Sequence, residues 1–286
     1  MRGSSSPAGL GLVADRVHAG YHALGNSARP LADGTLVSNA AHPHVHDANV
    51  LVHPVAESSP AVDRVLAQVD DALAPAARRH VHLGAVGSGP LEARMGADGW
   101  HLTMTLDLVL SEDLRGHARS VDIRRATTDD DWAAVARMFR ADHVEEAVRE
   151  RRMPHPEVVT REVVDVKRAK SPAVRIWVAR EDGVDCGFFT SWDGIGGVGL
   201  VEDLFVLREH RRRGIARALI HRAVADARGR GAGPVLIGAL IDDTPKDLYR
   251  RMGFTPLMVR RCWTRPPGDR RAERPAGRQS LARPSA

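Results

Sequence analysis

Arg211-Arg212-Arg213-Gly214-Ile215-Ala216 stands between an apolar run, Leu200 to Val206, and an amphipathic run, Ile215 to Ala227. The first reads as a strand and the second as a helix whose buried face carries Ile215, Leu219, Ile220 and Val224. The quoted residues are therefore a basic, glycine-containing turn from strand into helix. The first N–H groups of a helix have no intrahelical partner, and the helix dipole places partial positive charge on them, so such a turn suits a polyphosphate. Gly214 lets the backbone come close to an anion, and the small Ala216 leaves space beside it. Arginine-rich turns are also common on solvated surfaces, so the flanks must decide.

Downstream, Val235 to Ile241 reads as a buried strand, Thr244 to Met252 as a helix and Phe254 to Thr264 as a closing strand. The helix carries Leu248-Tyr249-Arg250-Arg251-Met252-Gly253-Phe254, which ends in glycine before an aromatic strand start. Upstream, Val121 to Arg124 is a strand, and Thr128 is a helix N-cap ahead of Trp132, Val135, Met138 and Phe139. Asp142 to Lys170 has helical spacing broken by Pro154 and Pro156. Val174 to Ala179 and Cys186 to Trp192 form strands joined through the hairpin signal Asp182-Gly183, and Gly197 to Val206 is a third.

The basic turn matches Arg/Gln-x-x-Gly-x-Gly/Ala, and Leu-Tyr-x-x-x-Gly-Phe follows one helix and one strand later. With this element order, the stretch from Val121 to Arg265 resembles the GNAT acyltransferase superfamily. The resemblance implies an α/β (α+β) fold, a mixed and mostly antiparallel sheet flanked by helices. It also implies an N-acetyltransferase that moves an acetyl group directly from acetyl-CoA to a primary amine. In this family the backbone of Leu204, Phe205 and Val206, at a bulge where two strands open, would bind the pantetheine and the thioester carbonyl. Arg211, Arg212, Arg213, Gly214, Ile215 and Ala216 would cradle the pyrophosphate.

Tyr249 would touch the cofactor and return a proton to the leaving thiolate, since a phenol is protonated at neutral pH. Asp242 and Pro245 stand where many members carry Asn and Ala. Asp242 can still accept a hydrogen bond near the pantetheine arm. Glu202 is the expected general base, with His143, Glu145 and Glu146 in reserve on the 142–170 segment, which would form the acceptor side. Glu202 and Asp203 alternate faces, so only one looks into the cleft. The acceptor is expected to be a small-molecule or peptide amine. Two further readings are an acyl-CoA-binding module without turnover and a GNAT-fold enzyme using another acyl donor.

The first half resembles the second at an offset of 154, the distance from Gly99 to Gly253. Gly99-Trp100 falls on Gly253-Phe254, and Val81 to Ala85 on Val235 to Ala239. This half has Ala56-Glu57-Ser58-Ser59-Pro60 in place of the basic turn, so it reads as a smaller, degenerate GNAT-like α/β domain that binds no CoA. The expected organisation is a disordered 1–12, this domain over 13–112, a linker over 113–120, the catalytic domain over 121–265, and a disordered Arg/Pro-rich tail over 266–286.

Composition narrows the rest. A hydrophobic fraction of 43% excludes disorder throughout, and no apolar run is long enough to span a bilayer. Residues 1–7 lack the apolar core of a signal peptide, so a cytoplasmic protein without a membrane partner is expected. The net charge of +5 is partly carried by the tail, so nucleic acid is not the expected partner, and a homodimer is compatible with the sequence. Cys186 and Cys262 have no metal spacing, and Pro43 interrupts the His42, His44, His46 alternation that a strand would turn to one face. No metal is expected.

Overall fold

The computed structural model describes residues 7–265, so residues 1–6 and the Arg/Pro-rich tail over 266–286 lie outside the described residues. Helix α1 spans Pro7–Ala23, which corrects the expectation of disorder over 7–12. The first half continues with β1 (Ser27–Leu31), β2 (Gly34–Ser38), β3 (Val50–Val52), α2 (Ser59–Ala72), β4 (Arg79–Leu83), α3 (Gly89–Ala97) and β5 (His101–Leu110). The second half has β6 (Asp122–Arg125), α4 (Asp129–Arg149), α5 (Glu157–Ala169), β7 (Arg175–Glu181) and β8 (Val184–Ile195). It closes with β9 (Val198–Val206), α6 (Ile215–Gly229), β10 (Val235–Leu240), α7 (Pro245–Arg251) and β11 (Thr255–Arg265).

Local chemistry sets many of these boundaries. Thr128 and Asp131 form a reciprocal capping box at the start of α4, with Oγ1 accepting from the Asp131 amide at 3.2 Å and Oδ2 from the Thr128 amide at 3.0 Å. Asp182 and Gly183 both take positive φ, as a two-residue hairpin between β7 and β8 requires. The stripe Val62, Val65, Leu66, Val69 and Leu73 is buried along α2. The hairpin β1–β2 carries no such signal, because residues 27–30 are all exposed at an edge where Pro30 can be tolerated. His42 and His44 lie in a turn and His46 opens a 3-10 turn over His46–Ala48, so these three imidazoles do not alternate along a strand. Among the described residues no helix is long and apolar enough to cross a membrane.

All eleven strands join one sheet, in the order β1-β2-β3-β4-β11-β5-β10-β9-β8-β7-β6. The two halves repeat each other in pairing sense. β1–β2 and β7–β8 are antiparallel, β2–β3 and β8–β9 are antiparallel, and β3–β4 and β9–β10 are parallel. The last strands are then exchanged. β5 lies antiparallel to β10, with Val235 opposite Leu110, while β11 lies antiparallel to β4, with Trp263 opposite Val81. β5 and β11 pair with each other between them. The segments expected as separate domains therefore share one sheet, and residues 113–120 link chain segments rather than independent cores. Leu108 and Leu110 of the first half enter the core under α6, and Trp263 of the second enters the core under α2.

A charged cluster fixes the seam. Asp107 on β5 is fully buried, and both its oxygens accept from Nε of Arg260 on β11, at 3.0 and 2.8 Å. Nε2 of His18 on α1 lies 3.0 Å from the same carboxylate. Burial alone would raise Asp107, but Arg260 and then His18 outweigh it and hold the carboxyl below its usual value. Its contribution to stability is therefore present above the ordinary carboxylate pKa and is lost as pH falls through the folded value.

Two expectations follow from the shared seam. Trp263→Ala should cost about 3–5 kcal/mol and lower the melting of both halves in a single calorimetric transition, whereas two separable transitions would contradict the interlocked sheet. Asp107→Asn removes the nearest counter-charge of a buried guanidinium, so urea unfolding should show a loss of about 3–5 kcal/mol.

Candidate active site

β9 determines the site. Thr190 on β8 stands opposite Glu202, and Phe188 opposite Phe205, so Asp203 and Leu204 together face Phe189 alone in a β-bulge. Asp203 takes φ of 62°, a left-handed conformation uncommon for a non-glycine residue, and its carboxylate accepts from Lys167 Nζ on α5 at 2.6 Å. The sheet opens just ahead of the bulge, past Val201. β9 pairs with β10 only from Gly199 to Val201, against Val235 to Ile237, although both strands run on. β10 stays paired to the exchanged β5 as far as Leu240, so the gap lies wholly on the β9 side.

The chain then passes through a 3-10 turn over Arg208–His210 into the basic loop. Arg212 has φ of 61°, and Gly214, the N-cap of α6, has φ of 83°. A side chain at Gly214 would be strained by that conformation and would come within 3.4 Å of Arg119. The first intrahelical bond found at this end runs from the Ala218 amide to the Gly214 carbonyl, at 3.1 Å. The amides of Ile215, Ala216 and Arg217 precede it, and a helix start leaves them without intrahelical acceptors.

Leu204, Phe205, Val206, Arg211, Arg212 and Ala216 all line one chamber of about 900 Å³. The other expected residues divide. Arg211 folds back to donate to the Val206 carbonyl at 2.8 Å and to Glu145 at 2.5 Å, stiffening the loop. Arg213 pairs with Glu181 at 3.4 Å and does not line the chamber. Ile215 is core, 1% exposed. Asp242 is exposed and off the chamber, which is lined instead by Asp243, Thr244 and Pro245. Asp243 thus stands on the chamber wall at the place where Asp242 was expected, because the turn after β10 points Asp242 outward.

Tyr249 lies in the core beside Phe254, 4% exposed, with Leu248 on the chamber wall instead. Burial, then Asp243, pushes its phenol above the usual range, so it stays protonated. Glu202 faces a second chamber of about 760 Å³, which shares a wall with the first through His46, Asp47, His143, Glu146 and Val163. Asp203 faces the first chamber, so the two neighbours do take opposite sides.

The Glu202 carboxyl is raised by burial and then by Asp203, while Arg260, Lys167 and His18 oppose the shift. Oε1 lies 4.0 Å from Arg260 and 4.0 Å from Nδ1 of His18, so the seam cluster backs directly onto Glu202. The second chamber is rich in imidazole. Burial lowers His22 to about 3, His80 to about 2 and His143 to about 4, so these rings present neutral donors and acceptors. Among the described residues no group of three or more His, Cys, Asp or Glu side chains is arranged to hold a metal ion. Asp107, Arg260, His18 and Lys167 were not anticipated from the sequence, although Asp107 is a lone acid in the apolar strand from Trp100 to Leu110 and so carried a signal.

The family description "Acetyltransferase (GNAT) domain" matches residues 172–256, from just before β7 into the start of β11. Among solved structures, the chain is similar to a conserved protein of unknown function from Staphylococcus epidermidis, with TM-score 0.65, 14% identity, and 85% of this chain and 95% of that one covered. It is similar to a GCN5-related N-acetyltransferase from Kribbella flavida, with TM-score 0.59, 19% identity and coverage of 91% and 97%. A putative GNAT-family acetyltransferase from Novosphingobium aromaticivorans matches with TM-score 0.52, 14% identity and coverage of 88% and 96%. No curated protein matches the sequence. These similarities span both halves, and the family match includes β9, the basic loop and α7 on the wall of the first chamber, whose remaining wall comes from α4, α5 and the 45–47 segment. The chain carries a GNAT acetyltransferase domain at residues 172–256, on the fold of the GNAT superfamily.

Proposed function

We propose that the chain is an acetyl-CoA-dependent N-acetyltransferase that moves an acetyl group directly to a primary amine of a small molecule or peptide. The observation that carries this reading is continuity. The bulge at Asp203–Leu204, the gap between β9 and β10, and the open helix start at Gly214 all border one chamber. In this reading the amides from Gly214 to Ala216 and the Arg212 side chain hold the pyrophosphate, and no side chain at Gly214 blocks its approach. The backbone of Leu204, Phe205 and Val206 receives the pantetheine and the thioester carbonyl in the gap, where preformed donors stabilise charge on that oxygen.

The acceptor enters through the second chamber, where Glu202 takes its proton as the amine attacks. A carboxyl raised by burial is a stronger base than an exposed one, and Arg260 and Lys167 oppose that rise in favour of the ionised form. The resemblance assigns return of a proton to the leaving thiolate to Tyr249, but Tyr249 is 4% exposed and lines neither chamber, so in this reading the thiolate takes its proton from solvent. The first half contributes β5, His18 and the imidazole wall to the acceptor side, and holds no second donor site. At the equivalent place the first turn of α2 holds Pro60, which has no N–H, and the Ala56 amide and carbonyl are both bound to Ser88 Oγ.

Two placements, the exposed Asp242 and the buried Tyr249, favour a second reading in which the chamber binds an acyl-CoA without turnover. Release of free thiol from acetyl-CoA with a panel of primary amines separates the two, since a binding module releases none. Replacing acetyl-CoA by other acyl donors in the same assay tests donor identity.

Gly214→Val should abolish acetyl-CoA binding in calorimetry while leaving the far-UV circular dichroism unchanged, and retained affinity would overturn the assignment of the loop. Glu202→Gln should lower kcat by about 10²–10⁴-fold with little change in the KM for acetyl-CoA. In the parent protein the rate should rise with pH through the raised Glu202 value, as the carboxylate forms, and the variant should lose that limb.

A further inference from the structure

Of the 41 Lys and Arg residues in the chain, only Lys167, Lys170 and Lys246 are lysine. Wherever a basic side chain merely faces solvent, this sequence uses arginine. Lys167 and Lys170 are different. They are 6% and 2% exposed, both project from the end of α5, and both line the chamber that contains the bulge and the basic loop.

Their partners differ. Lys167 donates to Asp203 Oδ2 at 2.6 Å and to the Tyr21 hydroxyl at 3.2 Å, and its ammonium is held well above the usual value despite burial. Lys170 donates to the Tyr21 carbonyl at 2.6 Å and lies 3.8 Å from the centre of the Tyr21 ring. Among the described residues it has no carboxylate within ion-pair distance. The charged groups that act on it are Lys167 on its own helix, Asp47 beside the 3-10 turn, and Glu202 and Asp203 on β9. Burial first, and Lys167 next, push it down to about 8. An arginine here would stay charged, whereas a lysine in this setting can expose a lone pair near neutral pH.

We propose that Lys170 is a self-acetylation site, modified by acetyl-CoA bound in the adjoining chamber when no acceptor amine is present. The proposal rests on the acetyl-CoA reading given above. In the step, the Nζ lone pair attacks the thioester carbonyl carbon, a C–N bond forms and the C–S bond breaks. CoA leaves as thiolate, and the proton released from the amine is taken up by that thiolate. The product is a neutral amide with added bulk on the wall of the chamber that also holds the bulge. Acetylation would thus act as a brake on the chamber, released only by removal of the acetyl group.

The test needs no knowledge of the acceptor. The full chain is incubated with acetyl-CoA alone, and intact-mass measurement is followed by peptide mapping across a pH series. One acetyl group is expected on the peptide holding Lys170. Its rate should rise through about pH 8 and exceed that at Lys246, which lines neither chamber, by about tenfold or more. Lys170→Arg keeps the charge and a donor for the Tyr21 carbonyl, and it should abolish the modification while leaving acetyl-CoA binding by calorimetry intact. Gly214→Val, lacking the donor, should also lose it. If acetyl-CoA binds but Lys170 is not labelled, or labelling is equal in Lys170→Arg, the self-acetylation proposal is overturned and the acetyl-CoA reading stands. If acetyl-CoA does not bind at all, both fall together.

Discussion

β5 and β11 each complete the sheet of the other half, and the rest of the molecule depends on that exchange. A parallel pair such as β9–β10 can separate only if β10 is held from its other side. Here β5 supplies that hold along the whole of β10. The opening past Val201 is therefore a built feature of the sheet. The same exchange brings Asp107 and Arg260 side by side and sets them behind Glu202. A single topological event thus shapes the first chamber and the electrostatics of the second.

The two chambers are chemically distinct, and the distinction follows from which face of β9 each side chain takes. The first chamber is lined by the bulge, by a helix start and by arginine, which suits an anionic, extended ligand. The second chamber is lined by Glu202 and by imidazoles, of which burial keeps His22, His80 and His143 neutral. Neutral imidazole neither repels an ammonium group nor competes with Glu202 for its charge. Asp203 and Glu202 stand on opposite sides of the strand, with Lys167 and Arg260 as their respective counter-charges.

Much of this was legible in the amino-acid sequence, for identifiable reasons. The basic turn before Ile215 and the Leu248–Phe254 run are local chemistry, a helix start and a helix end, and local chemistry survives in a single sequence. The offset of 154 residues was readable because Gly99 and Gly253, both at positive φ, punctuate the same place in each half. What escaped was non-local. Strand exchange has no sequence signature, since β5 is equally apolar whichever half it joins. The β1–β2 hairpin is an exposed edge without alternation. The one-residue shift from Asp242 to Asp243 follows from how the turn after β10 is folded. The buried lysines were visible only as a scarcity of lysine, which gained meaning once both were found on one chamber wall.

A crystal structure of the chain with CoA tests the central claim most directly. The account predicts pyrophosphate oxygens at the amides between Gly214 and Ala216 and the pantetheine arm in the gap between β9 and β10. CoA bound elsewhere, or a gap closed by continued β9–β10 pairing with no CoA in it, would contradict it.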